Sequence, residues 1–310
     1  MTEKKSPRHL ISLDDLSAAE IERIFAISAD LKAKLAEGVR EPLLPNRVLA
    51  LLFEKPSLRT RVSFEAGMAH LGGSTLFLSD DTGFGKRESM ADFSRVLSQY
   101  VDGIVMRTKK HETIVEVARY AECSVINGLS DVEHPCQALA DLFTVREIAG
   151  SLKGHTLAWV GDGNNVARSL ALACGKLGMR MVMACPAEYR FDEAFKAQLK
   201  QSVPQLELEE YDDPAEAVRD ALVVYTDVWV SMGQEAEKEK RLRDFAPYQV
   251  NEKLMSHTQK GAVFMHCLPA HRGEEVTDEV IDGPQSVVVQ QAANRMHVQK
   301  GVLAWLLAAH

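Results

Sequence analysis

The chain has 310 residues, enough for two domains of ordinary size rather than one. Hydrophobic residues make up 46% and charged residues 26%, a globular balance that excludes collagen-like, disordered and disulfide-scaffold classes. Acidic residues outnumber basic ones, 44 to 36, for a formal charge of -8, which argues against general nucleic-acid binding and leaves room for a local anion pocket.

Short apolar, β-rich runs alternate with helix-length amphipathic stretches along the chain. Strands are expected at Val48–Phe53, Thr75–Leu78, Gly103–Arg107 and Ser124–Asn127. A second series is expected at Thr156–Gly161, Met181–Ala184, Leu206–Glu210, Leu222–Trp229, Ala262–His266 and Ser286–Gln290. Helical patterns such as Thr60–His70, Ser89–Tyr100, Cys136–Ala149 and Val166–Leu177 fall between them. Near-continuous apolar strands separated by helices predict an α/β fold of two doubly wound domains, each with a mostly parallel sheet. The break is placed at Gly150, giving domains 1–150 and 151–310, with a final amphipathic helix at about 292–309 packing back on the first. No apolar run nears the roughly 20 residues of a membrane span, and the charged start from Met1 to His9 does not resemble a signal peptide. The five cysteines (Cys123, Cys136, Cys174, Cys185, Cys267) are scattered without a Cys-x-x-Cys pair, which suits reduced thiols and a cytoplasmic location.

Between the first strand and its helix stands Phe53-Glu54-Lys55-Pro56-Ser57-Leu58-Arg59-Thr60-Arg61. Ser57 is placed as a helix N-cap, which would leave the amides of Leu58, Arg59 and Thr60 pointing outward. Free first-turn amides with a hydroxyl and two guanidiniums suit a phosphate dianion, although a capped helix with two solvated arginines fits the same spacing. No Gly-x-x-x-x-Gly-Lys-[Ser/Thr] occurs, so this is not a nucleotide P-loop. Farther on, Gly161-Asp162-Gly163-Asn164-Asn165-Val166 follows a strand and opens a helix. Val166 stands where a dinucleotide fingerprint has its third glycine, so a nicotinamide reading rests on two glycines alone. Asp227 and Ser231 fall on one face at the end of an apolar run, where parallel sheets bind ligands; a turn or N-cap aspartate is the plain alternative. The block from His266 to Glu275 holds two histidines, a cysteine and two glutamates, yet its spacing fits no common zinc template. Read alone, Cys267 is an inert buried thiol and His134 a structural histidine before a proline.

Taken together, these segments resemble the aspartate and ornithine carbamoyltransferases. Ser57-Leu58-Arg59-Thr60-Arg61 is similar to that family's Ser-Thr-Arg-Thr-Arg signature; Leu58 replaces a threonine, keeping the amide and losing the hydroxyl. Met106-Arg107-Thr108 and His134-Pro135-Cys136-Gln137 match in order and spacing. The resemblance implies that Ser57, Arg59 and the Leu58 amide hold the phosphate of carbamoyl phosphate. It implies Thr60, Arg107 and His134 on the carbonyl oxygen, with Gln137 holding the amino end. Gly161 to Asn165 and Asp227-x-x-x-Ser231-Met232 match the ornithine branch, implying Asn165 on the amino-acid carboxylate and Asp227, Ser231 and Met232 as ornithine contacts. Cys267 and the Leu268 carbonyl would contact ornithine's side-chain amine and the carbamoyl amino group. Arg295, within Gln291–His297, would reach carbamoyl phosphate, and Ala293 replaces a common glutamate.

The implied activity is carbamoyl transfer from carbamoyl phosphate to the δ-amine of L-ornithine, by direct attack without metal, cofactor or covalent intermediate. A sister carbamoyltransferase using putrescine or a modified ornithine is the near alternative. A nicotinamide-dependent dehydrogenase and a non-catalytic phosphate binder are the distant ones. The implied partners are these small substrates and other copies of the chain, as a homotrimer or a multiple of trimers, with no nucleic acid or membrane. One departure stands at Asp81–Ser89, a loop that in the family reaches a neighbouring subunit's site. Gly83 there replaces the usual glutamine, with Lys86 or Arg87 as candidate substitutes.

Overall fold

The computed structural model describes residues 6–79, 87–230 and 235–308. It divides into two compact units, Met1–Ala140 with Arg295–His310, and Asp141–Asn294. The chain passes from one unit to the other inside helices. Gly150, with φ 75°, therefore marks the end of a helix and not the edge of a unit.

In the first unit a helix, α1 (Ala18–Ala36), precedes β1 (Val48–Phe53), α2 (Leu58–His70), β2 (Ser74–Ser79), α3 (Met90–Leu97), β3 (Gly103–Arg107), α4 (His111–Tyr120) and β4 (Ser124–Leu129). All strand pairs are parallel, in the order β2-β1-β3-β4. Parallel pairing demands crossovers, and the helices supply them while covering apolar strands. Ala50, Leu52, Ile104, Met106 and Val125 of the sheet pack with Ile114 and Val117 of α4 in one buried cluster. Each such side chain contributes about 1.5–3 kcal/mol by leaving water. The next helix, α5 (Pro135–Ala149), runs across the division between the units.

The second unit strings together β5 (Thr156–Val160), α6 (Asn165–Leu177), β6 (Arg180–Ala184), α7 (Glu193–Ser202), β7 (Leu208–Tyr211), α8 (Pro214–Ala217) and β8 (Val223–Thr226). It continues through α9 (Lys238–Phe245), α10 (Glu252–Met255), β9 (Val263–His266) and α11 (Asp278–Ile281) into α12 (Val288–Leu307). Its sheet is again wholly parallel, ordered β7-β6-β5-β8-β9.

Both orders reverse direction once, between β1 and β3 and between β5 and β8. Beyond the carboxyl ends of strands at such reversals, the crossovers leave on opposite faces and open a crevice. Phe53, Arg107, Val160 and Thr226 end those four strands, and the sequence motifs follow each of them.

Two expected strands differ. Ser286–Gln290 touches β9 through a single bridge between Phe264 and Ser286, and α12 begins at Val288. The β-branched run Val287–Val289 reads as strand, but the helix formers Gln290–Ala293 carry it into a helix. The expected strand Leu222–Trp229 pairs only over Val223–Thr226, so Asp227 lies just past the ladder. The alternation argument that put Asp227 and Ser231 on one strand face therefore lapses. Ser231 and Met232, with Gly83 and Lys86, lie outside the described residues.

Candidate active site

In the first unit the site grows from the ends of β1, β3 and β4. Ser57 does cap α2, and its hydroxyl accepts from the Thr60 amide at 3.3 Å. That correction leaves the Leu58 and Arg59 amides, not all three, as unused first-turn donors. Arg61 is also withdrawn from the cradle. Its Nε meets Glu65 at 2.9 Å, and its guanidinium stacks 3.7 Å from the Phe77 ring centre. Among the described residues Arg59 has no carboxylate partner, and it remains the cradle's cation.

Arg295 gathers the rest. From α12 its guanidinium donates to Thr60 Oγ1 of α2 at 3.0 Å and to Gln137 Oε1 of α5 at 2.5 Å. Thr60, Gln137, Arg295 and His134 are almost wholly buried, and Arg107, the last residue of β3, is 8% exposed. Burial first, then the charges of Arg295 and Arg107, hold the His134 imidazole well below its ordinary range. It is neutral at neutral pH and can offer a ring N–H to a carbonyl oxygen without trapping a proton. Cys136, in the first turn of α5, is different: burial pushes its thiol up to about 12, which leaves it inert.

In the second unit the two glycines prove structural. Gly161 has φ 147°, a conformation that side chains rarely adopt. A Cβ on Gly163 would stand 2.9 Å from the Tyr189 carbonyl oxygen. Their amides are spent, Gly161 on the Ala184 carbonyl at 3.0 Å and Gly163 on the Tyr189 carbonyl at 2.9 Å. Asn164 caps α6 by accepting from the Val166 and Ala167 amides. The two glycine amides and the amides taken by the Asn164 cap are thus spent inside the protein, which argues against the nicotinamide reading.

Asp227 is the centre of this half. Its Oδ2 accepts from Asn164 Nδ2 at 2.8 Å, and its Oδ1 from the Val228 amide at 2.8 Å and the Cys267 thiol at 3.1 Å. Asn165 is half-buried at the first turn of α6, beside this group in sequence. Cys267 and Leu268 follow β9. Leu268 has φ 56°, unusual for a leucine, and its amide donates to His266 Nδ1 at 2.9 Å. That bond places the His266 ring proton on Nε2, which faces Glu275 Oε1 at 3.0 Å with both side chains fully buried. The His271 amide reaches the same oxygen at 2.6 Å. Asp227, His266 and Cys267 bring ligand atoms within 4.8 Å of one another, as do His271, Glu274 and Glu275. In the first group each donor atom already serves a bond inside the protein.

Residue types alone did not reveal three supports. Asp141 accepts from Tyr225 Oη at 3.0 Å and from Gln291 Nε2 at 2.7 Å, while Gln291 Oε1 accepts from the His266 amide. Arg241 donates to Asp162 and to the Trp229 carbonyl, tying the β5 turn to the segment after Asp227. Glu133, directly before His134, meets Ser12 and Leu13. Each partner lies far away in the chain, and no local pattern announces it.

Two family models match this chain in the same order as its motifs. Residues 8–147 match the carbamoyl-P binding domain of aspartate/ornithine carbamoyltransferase, and residues 153–306 match the Asp/Orn binding domain. The chain belongs to the aspartate/ornithine carbamoyltransferase family. Among its relatives, an ornithine carbamoyltransferase of Bacillus subtilis is 52% identical over 97% of this chain and 94% of that protein. One from Archaeoglobus fulgidus is 49% identical over 97% of both chains. The structure of ornithine carbamoyltransferase from Pyrococcus furiosus superposes with a TM-score of 0.95 at 49% identity, covering 98% of each chain. Ser57, Arg59, Thr60, Arg107, His134 and Gln137 fall in the range matched by the carbamoyl-P binding domain, and Asn164, Asp227, Cys267 and Arg295 in the range matched by the Asp/Orn binding domain.

Proposed function

We propose that this enzyme joins carbamoyl phosphate to the δ-amine of L-ornithine, giving L-citrulline and phosphate. One observation carries the choice of amine: the buried Asp227 carboxylate, framed by Asn164 and Cys267, with no cationic side chain bonded to it among the described residues. An aspartate substrate would bring a second carboxylate and require a cation. An α-ammonium fits an acid. Relatives named ornithine carbamoyltransferase, about half identical over nearly the whole chain, support the same choice.

Ser57, Arg59 and the Leu58 and Arg59 amides bind the phosphate; Arg107, Thr60 and neutral His134 face the carbonyl oxygen; Gln137, held by Arg295, takes the carbamoyl amino group. The neutral δ-amine attacks the carbonyl carbon, and charge builds on the carbonyl oxygen. Fixed donors aimed there are the strongest aid a protein gives this step. The new C–N bond forms, the C–O bond to phosphate breaks with its electron pair leaving on phosphate, and the amine gives its proton to the departing phosphate. Cys267 and the Leu268 carbonyl guide the δ-amine, Asn165 takes the α-carboxylate, and Asp227 with Ser231 and Met232 holds the α-ammonium. No step calls for a metal or cofactor.

We place the enzyme in the cytoplasm as a homotrimer or a multiple of trimers. No described helix is long and apolar enough to cross a membrane, and all five cysteines are free. Light scattering coupled to size exclusion tests the assembly. For the activity, the purified protein is incubated with carbamoyl phosphate and L-ornithine, putrescine, L-lysine or L-aspartate, and ureido product and phosphate are measured. Citrulline as the dominant product is expected. A preference for putrescine or aspartate overturns the assignment of Asp227.

A further inference from the structure

The segment before α1 is sewn to the edge of the first sheet. Leu10 bridges Ile126 of β4 in parallel, donating to the Val125 carbonyl at 2.9 Å and accepting from the Asn127 amide at 2.8 Å. Leu10, Leu13 and Leu16 are buried beneath it. At the end of β4 the chain turns through Ser130, whose hydroxyl accepts from the Glu133 amide at 3.2 Å and whose amide donates to the Glu133 carbonyl at 2.9 Å. His134 comes next, and its carbonyl accepts from the Gln137 and Ala138 amides at the start of α5.

The chain after His134 is thus fixed by a helix. The chain before it is fixed by Glu133, which is 3% exposed. Glu133 Oε1 accepts from Ser12 Oγ at 2.5 Å and Oε2 from the Leu13 amide at 3.0 Å, across about 120 residues of sequence. Asn127 Nδ2 adds a parallel tie to the Ile11 carbonyl at 2.9 Å. A buried carboxyl group spent on two donors of a distant segment is expensive for stability alone. Its cost is intelligible where the neighbouring residue must be held to a fraction of an ångström.

We infer that Glu133 is a positioning residue for His134: its carboxyl group pins the corner bearing the catalytic imidazole to the amino-terminal segment at Ser12 and Leu13. This rests on the activity proposed above. The amino-terminal segment is thereby part of the carbamoyl phosphate half-site although none of its side chains touches substrate.

The test compares the parent, Glu133→Leu (similar size, no acceptor), Glu133→Gln (one acceptor oxygen kept for the Leu13 amide, an NH2 turned to the Ser12 hydroxyl, charge removed) and Ser12→Ala. Assays run at about pH 8, where the parent group is ionised, and at a temperature at which circular dichroism shows each variant folded. Glu133→Leu should lower kcat about tenfold with KM for L-ornithine within about twofold, because a displaced donor weakens the transition state and not the amine pocket. Glu133→Gln should recover to within about threefold of the parent, and Ser12→Ala should show the same split at about threefold. A folded Glu133→Leu with parental kcat, or a loss in which KM for L-ornithine rises equally, overturns the inference. If Glu133→Leu does not fold, a parental kcat in Ser12→Ala overturns it. Citrulline formation by the parent judges the activity separately. Should the parent form none, carbamoyl phosphate affinity by calorimetry decides for Glu133, with about tenfold weakening in Leu and recovery in Gln expected.

Discussion

The two half-sites occupy the same place in the same kind of sheet and are built from opposite materials. In the first unit, Arg107 and Arg295 act on a buried histidine, Arg59 stands in the first turn of α2, and one arginine from α12 draws α2 and α5 together. In the second, a carboxylate, a thiol and an amide meet on loops after β5, β8 and β9, with a leucine in a left-handed conformation among them. A dianion loses much hydration on entering a site, so its half is assembled from fixed, mostly buried donors. On the proposed assignment an α-ammonium needs one acid and a few acceptors, which Asp227 and its neighbours supply. The parallel fold supplies the position, and the residues following each strand supply the sign of the charge.

The sharpest way to break this contrast is to remove the cation that organises the first half. Arg295→Met leaves Thr60 Oγ1 and Gln137 Oε1 without their donor and also deletes any contact to carbamoyl phosphate. Two charge-assisted hydrogen bonds at roughly 1.5–3 kcal/mol each predict a fall in kcat/KM for carbamoyl phosphate of about 10²–10⁴. Losing a positive charge also relieves part of what depresses His134, so its pKa should climb, visible as an acid limb in the rate profile. A variant with parental kcat/KM would show that Thr60 and Gln137 are held by other means.

Burial in the first half has a pH signature. Glu133 is pushed up to about 7, chiefly by burial, against the hydrogen bonds from Ser12 and Leu13; Asp14 and Asp15 raise it further. The folded protein therefore keeps a proton that the unfolded chain has released. Stability from this group is complete below the unfolded value near 4.5 and is lost as pH rises through about 7. The interval corresponds to about 3 kcal/mol. Urea unfolding of the parent relative to Glu133→Gln should thus shift against the parent by that order between about pH 5 and pH 8. A difference that stays constant with pH would mean that Glu133 is solvated or ionised throughout.

The sequence disclosed most of the strands and the reversal-point motifs because those signals are local: a cap before a helix, a glycine after a strand, a histidine before a proline. It misjudged what depends on partners elsewhere. Arg61 looked like a second guanidinium beside the phosphate site, but Glu65 on its own helix and Phe77 on β2 hold it. The Thr60 amide counted as free although its own cap uses it. For Gly161 and Gly163 the missing third glycine already argued against a nucleotide turn, and the structure adds that Ala184 and Tyr189 take their amides. Glu133, Asp141 and Arg241 gave no signal, since a carboxylate or guanidinium meeting a group far along the chain has no spacing rule.

In the second half, Asp227→Asn sharpens the contrast by keeping shape and discarding charge. The loss of a hydrogen bond to a charged group, roughly 1.5–3 kcal/mol, predicts a ten- to hundredfold drop in kcat/KM for L-ornithine. KM for carbamoyl phosphate should barely move, since the groups proposed for its phosphate and its carbonyl oxygen belong to the other unit. The variant should also discriminate less between L-ornithine and putrescine. Normal use of ornithine by the variant would place the ammonium elsewhere.

The smallest effect expected is none, and it bears on the sign of the second half. Asp227, His266 and Cys267 hold their ligand atoms within 4.8 Å of one another, a mixed oxygen, nitrogen and sulfur set that a zinc-like ion could use. Capturing one would require the Cys267 thiol to shed the proton it gives Asp227, and His266 Nδ1 to release the Leu268 amide. Metal binding must then displace two bonds that shape the Cys267–Leu268 corner, and a divalent charge there would repel the α-ammonium that Asp227 is placed to receive. Prolonged dialysis against EDTA should therefore leave citrulline formation unchanged. Activity that disappears on chelation and returns with a divalent ion would make the second half a cationic centre. The ammonium would then have to be held by other groups, and the opposition of charge between the two halves would be wrong.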